Sequence, residues 1–350
     1  MRKKFSVGRQ KCSSGLRNAS TFFLWFFFAI PLASVGQTAN TEAAAGKRTS
    51  TTEFNTAIVK VETKVPNDAP SVATLGAQRV GSGVIIGERL VLTIGYVLLE
   101  ADVVTVTNSR GKSVPANVAG YDHATGFGLV KALVPLEGKA LSLGDSDSLS
   151  VEQKVLTQGH GEGQATELVV ASRRTFSGGW EYMIEKPIYT FPAVNNWSGS
   201  ALISQDGKLM GIGSLFVNDA ADAPRGVSGN LFVPVNLLKP ILEELLTNGR
   251  RRTNVQPWLG MTTELVQDRL VVTRVSKDGP ADLAGVEVGD VVYSVAQQAI
   301  SGQADFYRRV WKLGPAGTAV KLKLANPRGA KDVEIRSIDR YESLKKPQGI

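Results

Sequence analysis

The chain has one cysteine and two histidines in 350 residues. Cys12 has no second cysteine to pair with, so a disulfide-stapled scaffold is excluded. His123 and His160 stand alone, without cysteine neighbours at zinc-ligand spacing, and no paired carboxylates stand out. No metal and no cofactor is expected. Long apolar runs are also scarce. The main one, Phe22-Phe-Leu-Trp-Phe-Phe-Phe-Ala-Ile, is short for a bilayer span. It follows a segment without acidic residues that carries Arg2, Lys3, Lys4, Arg9, Lys11 and Arg17, and it precedes small residues up to Gly36. That layout predicts a secretory signal over 1–36, with an uncleaved inner-membrane anchor as the alternative and a periplasmic protein as the outcome.

Those six basic residues carry most of the formal net charge of +8, leaving about +2 for the remainder. The basic balance therefore belongs to the export segment, and nucleic acid is not an expected partner. Arg250-Arg-Arg252 remains, and reads as a solvated linker run.

Beyond the signal, residues 37–54 are polar and alanine-rich and read as a flexible leader. Asn55-Thr-Ala-Ile-Val-Lys-Val-Glu-Thr reads as a strand, and from Gly81 to about Pro234 short apolar runs are broken by glycine, asparagine and aspartate, as in Asp102-Val-Val-Thr-Val-Thr followed by the turn Asn108-Ser-Arg-Gly. Regular short strands with turn punctuation predict a mostly β barrel or sandwich. Leu237, Leu238, Ile241, Leu242, Leu245 and Leu246 follow helical spacing, with Pro240 near the first turn and Asn248-Gly249 as the stop.

Three motifs lie in the β-rich part: Gly81-Ser-Gly-Val-Ile-Ile-Gly leading to Leu90-Val-Leu-Thr-Ile-Gly-Tyr-Val-Leu, then Gly120-Tyr-Asp-His-Ala-Thr-Gly-Phe-Gly-Leu-Val, then Asn195-Asn-Trp-Ser-Gly-Ser-Ala-Leu. Together they resemble the trypsin-like domain of the HtrA/DegP serine proteases. The resemblance implies a double β-barrel over 55–248 with a cleft between barrels. It also aligns the family's catalytic histidine, aspartate and serine with Tyr96, Gly126 and Ser198, and an oxyanion-hole glycine with Asn196. Serine needs a base to take its proton, and the base needs an acid to orient it. A phenol titrates near ~10 and glycine orients nothing. Losing the base alone costs on the order of 10⁶ in turnover in a well-studied serine protease. His123 is the one stand-in base to consider, against a solvated turn histidine. His160, in Gly159-His-Gly-Glu-Gly, reads as an exposed loop residue whose spacing does not fit a dinucleotide site.

After a linker at 249–254, Pro257-Trp-Leu-Gly-Met, Gly279-Pro-Ala-Asp-Leu-Ala-Gly-Val-Glu-Val-Gly-Asp-Val-Val and Ser301-Gly-Gln-Ala-Asp-Phe-Tyr-Arg-Arg-Val-Trp resemble a PDZ domain of the same family, an α/β unit over 255–340. The resemblance implies a carboxylate-binding loop at Trp258, Leu259, Gly260 and Met261, and binding of protein C-termini as an added strand. Phe306 and Val310 are candidates to line the groove, with core packing as the alternative. Residues 341–350 read as a loose tail.

Two functions follow. The first is an inactive HtrA-like homologue that binds polypeptides or C-termini in the cell envelope, as chaperone, adaptor or regulator of protein quality control. The alternative is an active endopeptidase that degrades misfolded envelope proteins using Ser198 and an unrecognised base. The resemblance also implies a homo-trimer or association with an active relative.

Overall fold

A computed structural model describes residues 54–221 and 226–345. The expected signal, Cys12 and the leader up to residue 53 lie outside them. Among the described residues no helix is long and apolar enough to cross a membrane.

Two six-stranded closed barrels come first. The first contains β1 (Ile58–Lys64), β2 (Gln78–Gly87), β3 (Leu90–Ile94), β4 (Val103–Thr107), β5 (Ser113–Tyr121) and β6 (Phe127–Ala132), in the order β1-β2-β3-β6-β5-β4. A one-turn helix, α1 (Val72–Leu75), sits in the β1–β2 connection. The second barrel contains β7 (Lys154–Gln158), β8 (Thr166–Ser172), β11 (Ile188–Phe191), β12 (Ala201–Ile203), β13 (Leu209–Val217) and β14 (Gly229–Pro234). Between β8 and β11 the chain forms a separate hairpin from β9 (Phe176–Gly178) and β10 (Tyr182–Ile184). Alternation drives the pairing. In β1, Val59 and Val61 are fully buried while Lys60 and Glu62 keep contact with solvent, so a one-residue slip would put charge into the core.

The predicted helix forms later than its apolar spacing suggests. Val235–Leu237 is a 3-10 turn, and the α-helix α2 runs only over Leu242–Asn248. Pro240 explains the delay: it lacks an N–H and disfavours helical geometry at the residue before it. Leu245 is fully buried against the first-barrel core, and Gly249 closes the helix with φ 70° in the left-handed region.

The third unit is a sheet in the order β15-β16-β17-β19-β20, with β18 paired to β17. Its strands are β15 (Met261–Val266), β16 (Arg269–Val275), β17 (Val291–Val295), β18 (Gln298–Ala299), β19 (Ala319–Asn326) and β20 (Gly329–Arg336), covered by α3 (Pro280–Leu283) and α4 (Gln303–Lys312). Val320, Leu322 and Leu324 of β19 point into the core, and the alternating Lys321 and Lys323 point out.

Two linker expectations are corrected. Arg250 is no free surface charge: it pairs with Asp339 at 2.5 Å and lies over the Tyr341 ring. Arg251 reaches Asp122 of the first barrel at 3.1 Å. The start of the tail is also tied down, since the Lys345 amide donates to Glu100 at 2.6 Å and its ammonium pairs with Asp68. Both segments hold charged partners because those partners come from distant parts of the chain, which linear reading cannot locate.

Leu245→Ala removes a buried side chain where a helix closes the first barrel. It is expected to lower stability by about 2–5 kcal/mol, read as a lower urea midpoint at unchanged slope.

Candidate functional site

Ser198 lies where the two barrels meet. Its carbonyl accepts the Ser82 amide of β2 at 2.7 Å, and the next amide, Gly199, donates to Gly213 of β13 at 2.9 Å. Gly199 has φ 72°, and a Cβ there would stand 2.0 Å from the Ser82 carbonyl oxygen, so only glycine fits. The turn thus aims the Ser198 hydroxyl into the seam. That hydroxyl is buried and has no hydrogen-bond partner among the described residues.

Tyr96, just after β3, donates its hydroxyl to the Ser214 carbonyl of β13 at 3.0 Å. Burial pushes this phenol up to about 12, and the neighbouring Ser198 and Trp197 pull the other way without reversing it. It is a phenol, not a phenolate, at neutral pH. Gly126 has φ 81° and accepts the Gly95 amide at 2.7 Å. A Cβ on Gly126 would stand 3.0 Å from the Tyr182 hydroxyl, which donates to the Thr125 carbonyl at 2.8 Å. A phenol from the β9–β10 hairpin therefore fills the space beside Gly126. Sequence reading missed Tyr182, because nothing near it in the chain refers to residue 126.

The Asn196 side-chain amide donates to the His160 carbonyl at 2.6 Å. His160 is half-buried, not exposed: its amide donates to the Ser82 hydroxyl at 2.9 Å, and burial depresses its pKa, with Lys60 adding to the effect. His123 is not a solvated turn residue either. Among the described residues both its ring nitrogens are buried without partners, so neither bonds to Ser198, whose hydroxyl is also unpartnered there. Burial, then the Arg340 charge, holds His123 well below the ordinary imidazole range. Its ring packs edge-on against Tyr121 and lines a separate cleft with Asp122, Arg250, Trp258 and Arg340.

In the third unit the expected carboxylate loop is partly revised. The Leu259, Gly260 and Met261 amides all donate to the Glu181 carboxylate, at 2.8, 2.8 and 3.1 Å. Trp258 does not join them, because its amide donates to the Ile338 carbonyl at 3.0 Å. Phe306 and Val310 are each 1% exposed and sit in the core of this unit, which also takes in Met183 of the hairpin. On α4 it is Gln303 and Tyr307 that reach β15: the Gln303 amide donates to the Thr263 carbonyl at 2.6 Å. Burial pushes the Glu181 carboxyl up to about 7, against the opposing pull of the three amides and Arg340.

Two barrels with a serine at their seam, followed by a PDZ-like sheet and helix, define a trypsin-fold protein with a PDZ-like module. The chain matches the trypsin-like peptidase domain family over residues 81–212 and the PDZ domain family over residues 257–336. It is similar to the periplasmic serine endoprotease DegP of Salmonella typhimurium, at 30% identity over 70% of this chain and 54% of the relative. It is also similar to the periplasmic pH-dependent serine endoprotease DegQ of Escherichia coli, at 27% identity over 77% of this chain and 61% of the relative. The chain thus spans just over half the length of the curated relatives it matches. Among solved structures, a variant of the HtrA-type protease AlgW with tripeptide shares the fold at TM-score 0.52 and 22% identity, covering 84% of this chain and 96% of the other. This chain is therefore an HtrA/DegP-like trypsin-fold protein with one PDZ domain, and the relatives it resembles are named as serine endoproteases.

Two measurements follow from this geometry. Tyr96→Phe deletes the cross-barrel donor and leaves the buried Ser214 carbonyl unpaired, an expected loss of about 1–3 kcal/mol in chemical denaturation. Glu181 has a folded-state pKa above its ordinary value, so the native state holds the proton more tightly. Stability is then expected to be highest below about 4.5 and to fall as pH rises through about 7, with no further change from this group above that. Denaturation of wild type and Glu181→Gln across that window checks the sign, since the variant should lack the slope.

Proposed function

We propose that this chain is a catalytically silent member of its family that binds polypeptides, or their C-termini, in the cell envelope. The observation that carries the reading is the Ser198 hydroxyl, buried beside a protonated phenol with no base among the described residues in hydrogen-bond contact to take its proton. Acyl transfer by serine requires a base within hydrogen-bond reach and a group that orients it. Tyr96 gives its hydrogen bond to a carbonyl, Gly126 carries no side chain, and His123 and His160 make no bond to the hydroxyl. The PDZ unit supplies the retained binding capacity: a loop of convergent amides ahead of the edge strand β15.

The envelope location rests on the expected signal over 1–36 and on the periplasmic relatives. Action as a chaperone, adaptor or regulator, and assembly as a homo-trimer or with an active relative, belong to the same proposal. The purified chain lacking residues 1–36 is tested on an unfolded protein substrate beside Ser198→Ala. Equal background hydrolysis by both is expected. Cleavage by wild type that Ser198→Ala abolishes would reinstate the active endopeptidase.

A further inference from the structure

The edge of β15 is already occupied. Gly178-Gly179-Trp180-Glu181, the tip of the β9–β10 hairpin, runs along this strand towards the 259–261 loop. The Thr263 amide donates to the Gly179 carbonyl at 3.0 Å, a bond of the kind an added strand makes. Two residues on, the Glu181 carboxylate collects the amides of Leu259, Gly260 and Met261. Beyond it, Met183 is 9% exposed and packs into the apolar core of the PDZ unit with Leu259, Met261, Phe306 and Val310. The Tyr307 hydroxyl of α4 closes the opposite side, donating to the Gly178 carbonyl at 2.9 Å.

A backbone bond to the edge strand, a carboxylate in the amide loop and an apolar side chain in the hollow behind it are the three things a protein C-terminus would bring. The hairpin brings all three from within the chain. We propose that it is a built-in ligand of the PDZ groove, with the Glu181 side chain standing where a peptide's terminal carboxylate would bind. Free C-termini must then displace it. The inference rests on the reading of the groove as a peptide site.

The local sequence fits this role. A Cβ on Gly179 would stand 2.6 Å from the Thr263 carbonyl oxygen, so the tip reaches β15 only because it has no side chain there. Glu181 itself has φ 58°, a left-handed conformation that a glutamate adopts at a cost and keeps only where its surroundings hold it. Arg340 donates to the Trp180 carbonyl at 2.9 Å and braces the tip from the C-terminal side.

The test uses N-terminally fluorescein-labelled decapeptides ending in Val, Leu or Phe, each with a free or an amidated C-terminus. Their binding to wild type is compared with Glu181→Ala and Gly179→Ala, after circular dichroism has shown both variants folded. Amide hydrogen exchange over residues 259–263 provides a readout that needs no peptide. The expected result is at least about tenfold tighter binding of the free-carboxylate peptides by either variant, because a groove open only part of the time binds in proportion to the open fraction. Amidated peptides should bind no variant, and both substitutions should speed exchange at Leu259–Met261. Equal affinity of wild type and both variants, or unchanged exchange, overturns the built-in ligand. Faster exchange without peptide binding to any form would support the occlusion and instead overturn the peptide reading of the groove.

Discussion

The two barrels meet at the Ser198 turn, and the rest of the protease-like fold depends on how its polar backbone groups are paired there. Ser82 of the first barrel donates to the Ser198 carbonyl, while within the second the Gly199 amide donates to Gly213 and the Gly213 amide to Ser200. Thr93 donates to the Ser82 carbonyl at 2.6 Å, and Tyr96 to that of Ser214. Each such bond contributes about 1 kcal/mol net, but leaving a buried group unpaired costs roughly 1–3 kcal/mol. The seam is therefore specified by what would be lost without it. This gives a physical reason for the serine turn to persist in the proposed absence of chemistry. Its glycine is demanded by the Ser82 carbonyl, whatever the hydroxyl one residue earlier does.

Much of this architecture was legible in the sequence because it repeats a local rule. Strand alternation over the expected Asn55–Thr63 stretch and the turn at Asn108 to Gly111 depend on residues close in the chain, and both form, although Asn55–Ala57 turns as a 3-10 helix before β1 begins at Ile58. The seat of Ser198 could be placed by resemblance for the same reason. What could not be read was anything supplied from far away. Tyr182 fills the space beside Gly126 from 56 residues further along, and Arg251 reaches Asp122 across |i−j| of 129. Glu181 carried no signal in the sequence beyond its place after two glycines and a tryptophan. Its meaning appears only once the hairpin lies on the PDZ strand. The helix at 242–248 was misplaced for a local reason, since apolar spacing outvoted the backbone restriction imposed by Pro240.

The same long-range contacts tie the PDZ unit to the barrels at several points of different character. Arg250 and Arg251 bind carboxylates on either side of the linker, Lys345 returns to the first barrel, and the hairpin seats on β15. The Lys345–Asp68 pair, with its carboxylate open to solvent, contributes little by itself, whereas Arg250–Asp339 and Arg251–Asp122 are largely buried. The Glu181 carboxylate is different, because three converging amides orient it at a largely enclosed site.

That enclosure limits how firmly the hairpin can hold. A charged carboxylate is stabilised by the three amides and by Arg340, yet burial outweighs them and raises its pKa to about 7, so ionised Glu181 is seated at a net cost of desolvation. Its backbone is strained as well, at φ 58°. Against these costs stands the advantage of attachment, since a tethered segment competes at an effective concentration of up to roughly millimolar. A true C-terminus offers the same carboxylate without the left-handed residue and forms its strand pairing in an unstrained backbone, but it must arrive from solution. Strain and desolvation weaken the internal occupant while tethering strengthens it. On the proposed reading, a groove balanced this way would stay closed to weak or dilute peptides and open to those whose side chains fill the apolar hollow better than Met183 does.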